Sequence, residues 1–317
     1  MQKAVNTSET DNTPDWYQRS LEFPSATSEI EVDGVPISFE TWGDTASPGV
    51  VLIHGSNAHK EWWRFVAPFL ADQFRVAAID LSGNGDSGWR DRYTGKQFAQ
   101  EVWEVCGAAH LGDHPFVVGH SFGGWVALQT AHYYGHDMAG VILNDYTVAP
   151  PERFEEWGMR VEREGVEPRR ATRVYPDIDT AMGRFRFVPE QPTRFPKVID
   201  YIGRNGLREV EGGVTLKFDP GMYDYLEMGT DQLERFAQLK CRAAVVTGEL
   251  TEDEGAFEGD FMNELCKGGL PVFQLPGCHH HMMFEEPLAL AMAFKGLMLN
   301  WHGEDRRAQM KEALAAV

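Results

Sequence analysis

No run of about 18 consecutive apolar residues occurs in the 317-residue chain, so no segment is predicted to span a bilayer. The opening MQKAVNTSETDN also lacks the apolar core of a secretory leader, and a soluble, cytoplasmic protein is expected. Basic side chains are scarce, with 29 Lys and Arg against 48 Asp and Glu and a formal charge of −19. Such a field repels nucleic-acid phosphates. A small-molecule substrate is therefore expected as partner, without nucleic acid or membrane. The four cysteines, Cys106, Cys241, Cys266 and Cys278, show no C-x-x-C spacing, and a chain this long needs no disulfide staples. Free thiols, mostly buried, are the expectation. H-E-x-x-H, internal repeats and low-complexity tracts are also missing.

What is present is a rhythm. After an arm rich in Thr, Ser, Asn, Asp and Pro (1–24), SEIEV and PISFETW alternate polar and apolar residues around Asp33-Gly34, the signature of a tight antiparallel hairpin. Short apolar runs then follow (VVLI at 50–53, RVAAIDL at 75–81, FVVG at 116–119, GVILN at 140–144), separated by helix-length amphipathic stretches. Fully apolar strands alternating with helices predict a mainly parallel sheet covered on both faces. The rhythm stops after Asp145 and resumes with RAAVVTG at 242–248, VFQLP at 272–276 and a final helix from about Pro287 to Trp301. The expected division is a core of 25–147 and 236–302, a mainly helical insertion of 148–235 capping it, and a tail of 303–317.

The chemistry-bearing signal is Gly119-His120-Ser121-Phe122-Gly123, a G-x-S-x-G between an apolar strand and a helix. Small residues at 119 and 123 permit a sharp turn that projects the Ser121 hydroxyl from the strand end, with the positive end of the helix dipole aimed at it. A serine hydroxyl is a weak nucleophile and needs a base within reach. Three histidines, His279, His280 and His281, stand together later in the chain. Adjacent side chains are expected to diverge, so no metal is predicted there; no cofactor is expected either.

The chain resembles the α/β-hydrolase superfamily from about residue 28 to 302. Besides the serine turn, His54-Gly55-Ser56-Asn57 is similar to the family's HG loop, DLSGNGDSG at 80–88 to its D-x-x-G-x-G-x-S turn, and GCHHHMMFEEP at 277–287 to its G-x-G-H-x-x-x-x-E-x-P segment. The resemblance implies an α/β fold with an eight-stranded, mostly parallel sheet, helices on both faces and a cap. It implies an acyl-enzyme mechanism with Ser121 as nucleophile. The proline seven residues after the histidine selects His280 as base, and the backbone amides of Ser56 and Phe122 would form the oxyanion hole.

The acid departs from the usual pattern, because Gly248-Glu249-Leu250-Thr251 places threonine where the family commonly has aspartate. Asp145, just past the strand GVILN, is favoured, and Asp253 is the alternative. Candidate substrate contacts are Asn57 and Trp63 near the HG loop, Arg184 and Arg186 in RFRFVPEQP, and Tyr223. The reading is a serine hydrolase of an ester or lactone of a small to medium organic acid. Alternatives are a C–C hydrolase of a diketone with the same residues and a non-catalytic small-molecule binder. The arm and exposed aromatics make a homodimer reasonable.

Overall fold

The computed structural model describes residues 14–148, 172–192, 194–251 and 255–315, with side chains from 260 onward in the last stretch. The alternative acid Asp253 lies outside the described residues. The chain opens with helix α1 (Asp15–Glu22) and the hairpin β1 (Ala26–Val32) and β2 (Val35–Trp42). Asp33 and Gly34 both have positive φ, 49° and 76°, the conformation a two-residue hairpin turn needs. The strands β3 (Gly49–Ile53), β4 (Arg75–Ile79), β6 (Phe116–His120), β7 (Gly140–Asn144), β11 (Arg242–Gly248) and β12 (Val272–Leu275) complete one sheet. Its order is β1-β2-β4-β3-β6-β7-β11-β12, eight strands, with only the β1–β2 and β2–β4 pairings antiparallel.

Both faces are covered, which explains the unbroken apolar runs of the central strands. Val50 and Leu52 of β3 enter a core with Trp63, Phe65 and Phe294, whereas Val51 and Ile53 enter another with Phe98, Trp125 and Val126. The second face carries α3 (Gly95–Ala108) and α4 (Phe122–Tyr134); the first carries the short α2 (Ala67–Leu70) and the C-terminal helix. The described part of the N-terminal arm belongs to this first face, where Trp16 and Tyr17 lie 5.7 and 5.0 Å, ring to ring, from Phe65.

Between β7 and β11 the described chain forms α5 (Ile178–Met182), α6 (Pro196–Asn205), a hairpin of β8 (Leu207–Val210) and β9 (Gly213–Leu216), a 3-10 turn at Met222–Tyr225, the two-residue β10 (Leu226–Glu227) and α7 (Gln232–Ala237). The sequence reading expected no buried strand here, yet Val214 and Thr215 of β9 are buried. The hairpin is easy to miss because its strands are four residues long and its turn glycines, Gly212 and Gly213 with φ of 88° and 143°, read as loop. Strand β10 pairs with β5 (Tyr93–Thr94), and the Gly85 and Asp219 amides donate to the Lys217 and Gly83 carbonyls. These bonds stitch the returning segment to the 80–88 turn.

Helix α8 (Gly255–Leu265) links β11 to β12, and α9 runs from Pro287 to Ala315, well past the predicted stop at Trp301. No proline follows Pro287 to end it. Asp305 on the added turns accepts two hydrogen bonds from Arg242, at 2.6 and 2.8 Å. The segment expected to be a tail is therefore helical. No described helix is long and apolar enough to cross a membrane.

Candidate active site

Register brings the reactive groups together. In the parallel pair β6–β7, His120 is paired with Asn144, so the next residues, Ser121 and Asp145, emerge side by side at the carboxyl edge. Neighbouring strands lie about 4.8 Å apart, a side chain's reach. Ser121 has φ 52° and ψ −121°, an unusual conformation for a residue with a Cβ, and its N–H donates to the Asn144 carbonyl at 2.9 Å. The turn depends on its flanking glycines: a Cβ on Gly119 would sit 1.9 Å from the Gly123 carbonyl oxygen, and one on Gly123 2.4 Å from that of His54.

Asp145 also has positive φ, 48°, a region aspartate tolerates better than most residues. Its side chain is 2% exposed, and three donors converge on the carboxylate. The Gly248 N–H lies 3.0 Å from Oδ1, the Thr251 hydroxyl 3.0 Å from Oδ2, and His280 Nδ1 2.5 Å from Oδ2. Thr251 is the residue at the position where resemblance led to an expected carboxylate. It supplies a hydrogen bond to the acid on the neighbouring strand instead. Glu249 accepts the Gly277 N–H at 2.7 Å and so shapes the loop that carries the histidines.

With Nδ1–H donated to Asp145, the lone pair of His280 lies on Nε2, the tautomer a general base requires. Two further groups hold this loop. Buried Glu285 accepts the His279 backbone N–H at 2.6 Å and lies 2.7 Å from His279 Nδ1, while His120 Nε2 lies 2.9 Å from the His280 carbonyl oxygen. A carbonyl only accepts, so His120 carries its proton on Nε2. His54 is also scaffold: Nε2 accepts the Leu81 N–H at 3.1 Å, and Nδ1 donates to the Gly55 carbonyl at 2.8 Å.

The HG loop reaches the serine because Gly55 has no side chain. A Cβ there would lie 3.4 Å from Ser121 Cβ and 3.0 Å from His120 Nδ1. Ser56 and Asn57 follow it, both exposed. Tyr223 closes this side, its ring centroid 5.6 Å from that of Phe122.

Other predicted contacts lie elsewhere. Trp63 is fully buried against Phe294, with ring centroids 6.3 Å apart, under the sheet. Its neighbour Trp62, which the sequence reading passed over, faces His281 at 5.3 Å and Phe284 at 4.9 Å. Arg184 and Arg186 are exposed, and Arg186 donates to the Gly183 and Phe185 carbonyls. In that segment Phe187 turns inward, 5.0 Å from His281 and 5.8 Å from Trp62. Cys278 is buried, and burial, followed by Glu285 and Glu286, pushes its thiol up to about 11, so it is no nucleophile.

His279 turns away to Glu285, but His280 and His281 do not diverge as adjacent residues in an extended chain would. His281 adopts φ −95° and ψ 60°, close to an inverse γ-turn, which folds its ring back to 4.9 Å from that of His280. His120 joins them, and one ring nitrogen from each of the three lies within 4.8 Å of the others. Burial lowers the pKa of His120 far below the usual histidine value and that of His281 to about 3, so both rings are neutral.

The model of the alpha/beta hydrolase family matches residues 50–293. The magnesium-chelatase 30 kDa subunit of Rhodobacter capsulatus is 38% identical over 92 residues, 28% of this chain and 32% of that protein. The pimeloyl-[acyl-carrier protein] methyl ester esterase of Sodalis glossinidius is 33% identical over 132 residues, 40% of this chain and 48% of that one. The chain thus spans from 32% to 48% of the length of these curated relatives. The thioesterase domain from the curacin biosynthetic pathway superposes with a TM-score of 0.70 at 21% identity, covering 87% of this chain and 99% of that domain. The sheet order, the turn at Ser121 and the match over residues 50–293 together show that the chain belongs to the alpha/beta hydrolase family.

Proposed function

We propose that this protein is a serine hydrolase that cleaves a carboxylic ester or lactone through an acyl-enzyme on Ser121. One observation carries the reading: His280 is tied through Nδ1 to a buried carboxylate, Asp145, which stands one strand away from a serine in a strained strand-to-helix turn. As Ser121 Oγ attacks the carbonyl, its proton passes to His280 Nε2, and Asp145 stabilises the imidazolium that forms. The oxyanion accepts N–H groups from Ser56 and Phe122, which cost no reorganisation because backbone already fixes them. His280 then gives its proton to the leaving alkoxide, and water, activated by the same histidine, releases the acid.

The segment between β7 and β11 acts as a cap over this edge, since Tyr223 and Phe187 from it approach the site residues Phe122 and His281. Trp62, Phe122 and Phe187 set aromatic rings around the site residues, a surround suited to the apolar body of a small to medium acyl or alcohol group. The name of the Sodalis relative, a methyl ester esterase, supports ester cleavage.

Labelling with a fluorophosphonate and assay on a panel of esters, lactones and a diketone test the proposal. A single adduct on Ser121 is expected, with turnover of an ester or lactone that falls by about three orders of magnitude or more in Ser121→Ala. Diketone turnover alone would move the reaction to C–C cleavage, and absence of both label and turnover would leave a binder.

A further inference from the structure

The three imidazoles that meet behind the serine have a property that ester hydrolysis does not use. Two of them have one nitrogen committed to an oxygen acceptor, and the third has none. His280 gives Nδ1–H to Asp145 and His120 gives Nε2–H to the His280 carbonyl, whereas neither ring nitrogen of His281 has a partner among the described residues. A neutral imidazole has one proton, so each ring keeps one lone pair. His120 Nδ1 and the ring nitrogens of His281 are buried without a well-formed hydrogen bond, and His281 as a whole is 2% exposed. Unpaired polar nitrogens in an aromatic surround of Trp62, Phe187 and Phe284 carry a desolvation cost that a ligand would relieve.

We propose that His120, His280 and His281 form an inhibitory site for a borderline divalent transition cation such as Zn²⁺. Neutral imidazole is a preferred ligand of Zn²⁺, Cu²⁺ and Ni²⁺, and the oxygen partner on one nitrogen of His120 and of His280 is the arrangement that orients a metal-binding histidine. Zn–N bonds of about 2.1 Å place tetrahedral donors about 3.4 Å apart, so nitrogens now within 4.8 Å of one another must close by small ring rotations. His281 is the mobile member, because its ring has no well-formed hydrogen bond to break. Three protein donors leave a fourth position for water. Binding occupies the lone pair with which His280 would accept the Ser121 proton, so the cation blocks acylation. No electron is transferred, and no bond is made other than coordination. The binding claim stands without the hydrolase reading; the block of acylation rests on it.

The experiment titrates Zn²⁺ into the full chain against a chelating indicator, and separately follows fluorophosphonate labelling of Ser121 with and without one equivalent of Zn²⁺. Wild type is expected to bind one equivalent and to label at least tenfold more slowly with the cation. Both His281→Phe, which keeps the ring shape, and His281→Gln are expected to weaken binding at least tenfold, with folding checked by circular dichroism. Exposed His136→Gln is expected to leave binding unchanged. Equal affinity in either folded His281 variant and wild type, or no stoichiometric binding by wild type, overturns the site. Should neither His281 variant fold, wild type decides alone: slowed labelling upholds the site and unchanged labelling at saturating Zn²⁺ overturns it. A wild type that binds Zn²⁺ yet never labels upholds the site while removing the hydrolase reading.

Discussion

Strands β7 and β11 are neighbours in the sheet, with Asn144 paired to Val246, and their carboxyl ends serve one carboxylate in different ways. The β7 end presents a carboxylate in one residue, Asp145, held by its positive φ and by its N–H on the Val246 carbonyl at 2.7 Å. The β11 end presents a loop whose Gly248 amide and Thr251 hydroxyl both point at that carboxylate. With Asp145 at the β7 end, the β11 end is occupied by hydrogen-bond donors to that carboxylate. A triad is defined by where the carboxylate oxygen lies and not by which loop delivers it, so either strand end is a candidate to serve the histidine loop.

That comparison can be broken by mutation. The largest effect is expected for Asp145→Asn, which keeps the shape but removes the charge and allows the wrong imidazole tautomer; kcat should fall by about a hundredfold or more with little change in KM. Steady-state kinetics on the best ester decide, and a loss below about fivefold would shift the role to Asp253. Next comes a transfer test. In the Asp145→Asn background, Thr251→Asp should restore kcat by about tenfold, because it returns a carboxylate to the β11 end within reach of the same histidine; no recovery means the two ends are not interchangeable.

Thr251→Val alone should be milder. It removes one hydrogen bond to a charged group that keeps two other donors, at a cost of about 1 kcal/mol or roughly fivefold in kcat. An effect as large as that of Asp145→Asn would make Thr251 indispensable. The smallest change is expected far from either strand end. Arg184→Ala with Arg186→Ala should alter kcat/KM for acidic and neutral esters by less than about twofold, as expected of exposed side chains. A KM rise confined to acidic esters would give these arginines a substrate role after all.

The elements that were legible in the sequence share one feature: their signal is local. Strand β3 was read at 50–53 and is found at Gly49–Ile53, and β7 was read and found at 140–144, because a strand buried on both faces must be apolar at every position. The short hairpin of β8 and β9 was not, since four-residue strands with partly exposed faces leave no clear period. Helix α9 ran on past Trp301 because its later turns are held by ion pairs such as Arg242 with Asp305 and not by an apolar stripe. Trp62 and Trp63 are indistinguishable as a sequence pair; only the packing sends one toward the histidines and the other beneath the sheet.

The sequence by itself determined the sheet, the sharp turn at Ser121 and the chain order of serine, candidate acids and histidines, because apolar periodicity and glycines beside a serine act over a few residues. Tertiary structure alone decided which carboxylate lies on His280, what Thr251 does and that His120, His280 and His281 converge. Those outcomes depend on strand order, on the pairing of His120 with Asn144 and of Asn144 with Val246, and on one bent residue at His281. Distances between loops far apart in the chain are set by those pairings, and no local pattern encodes them.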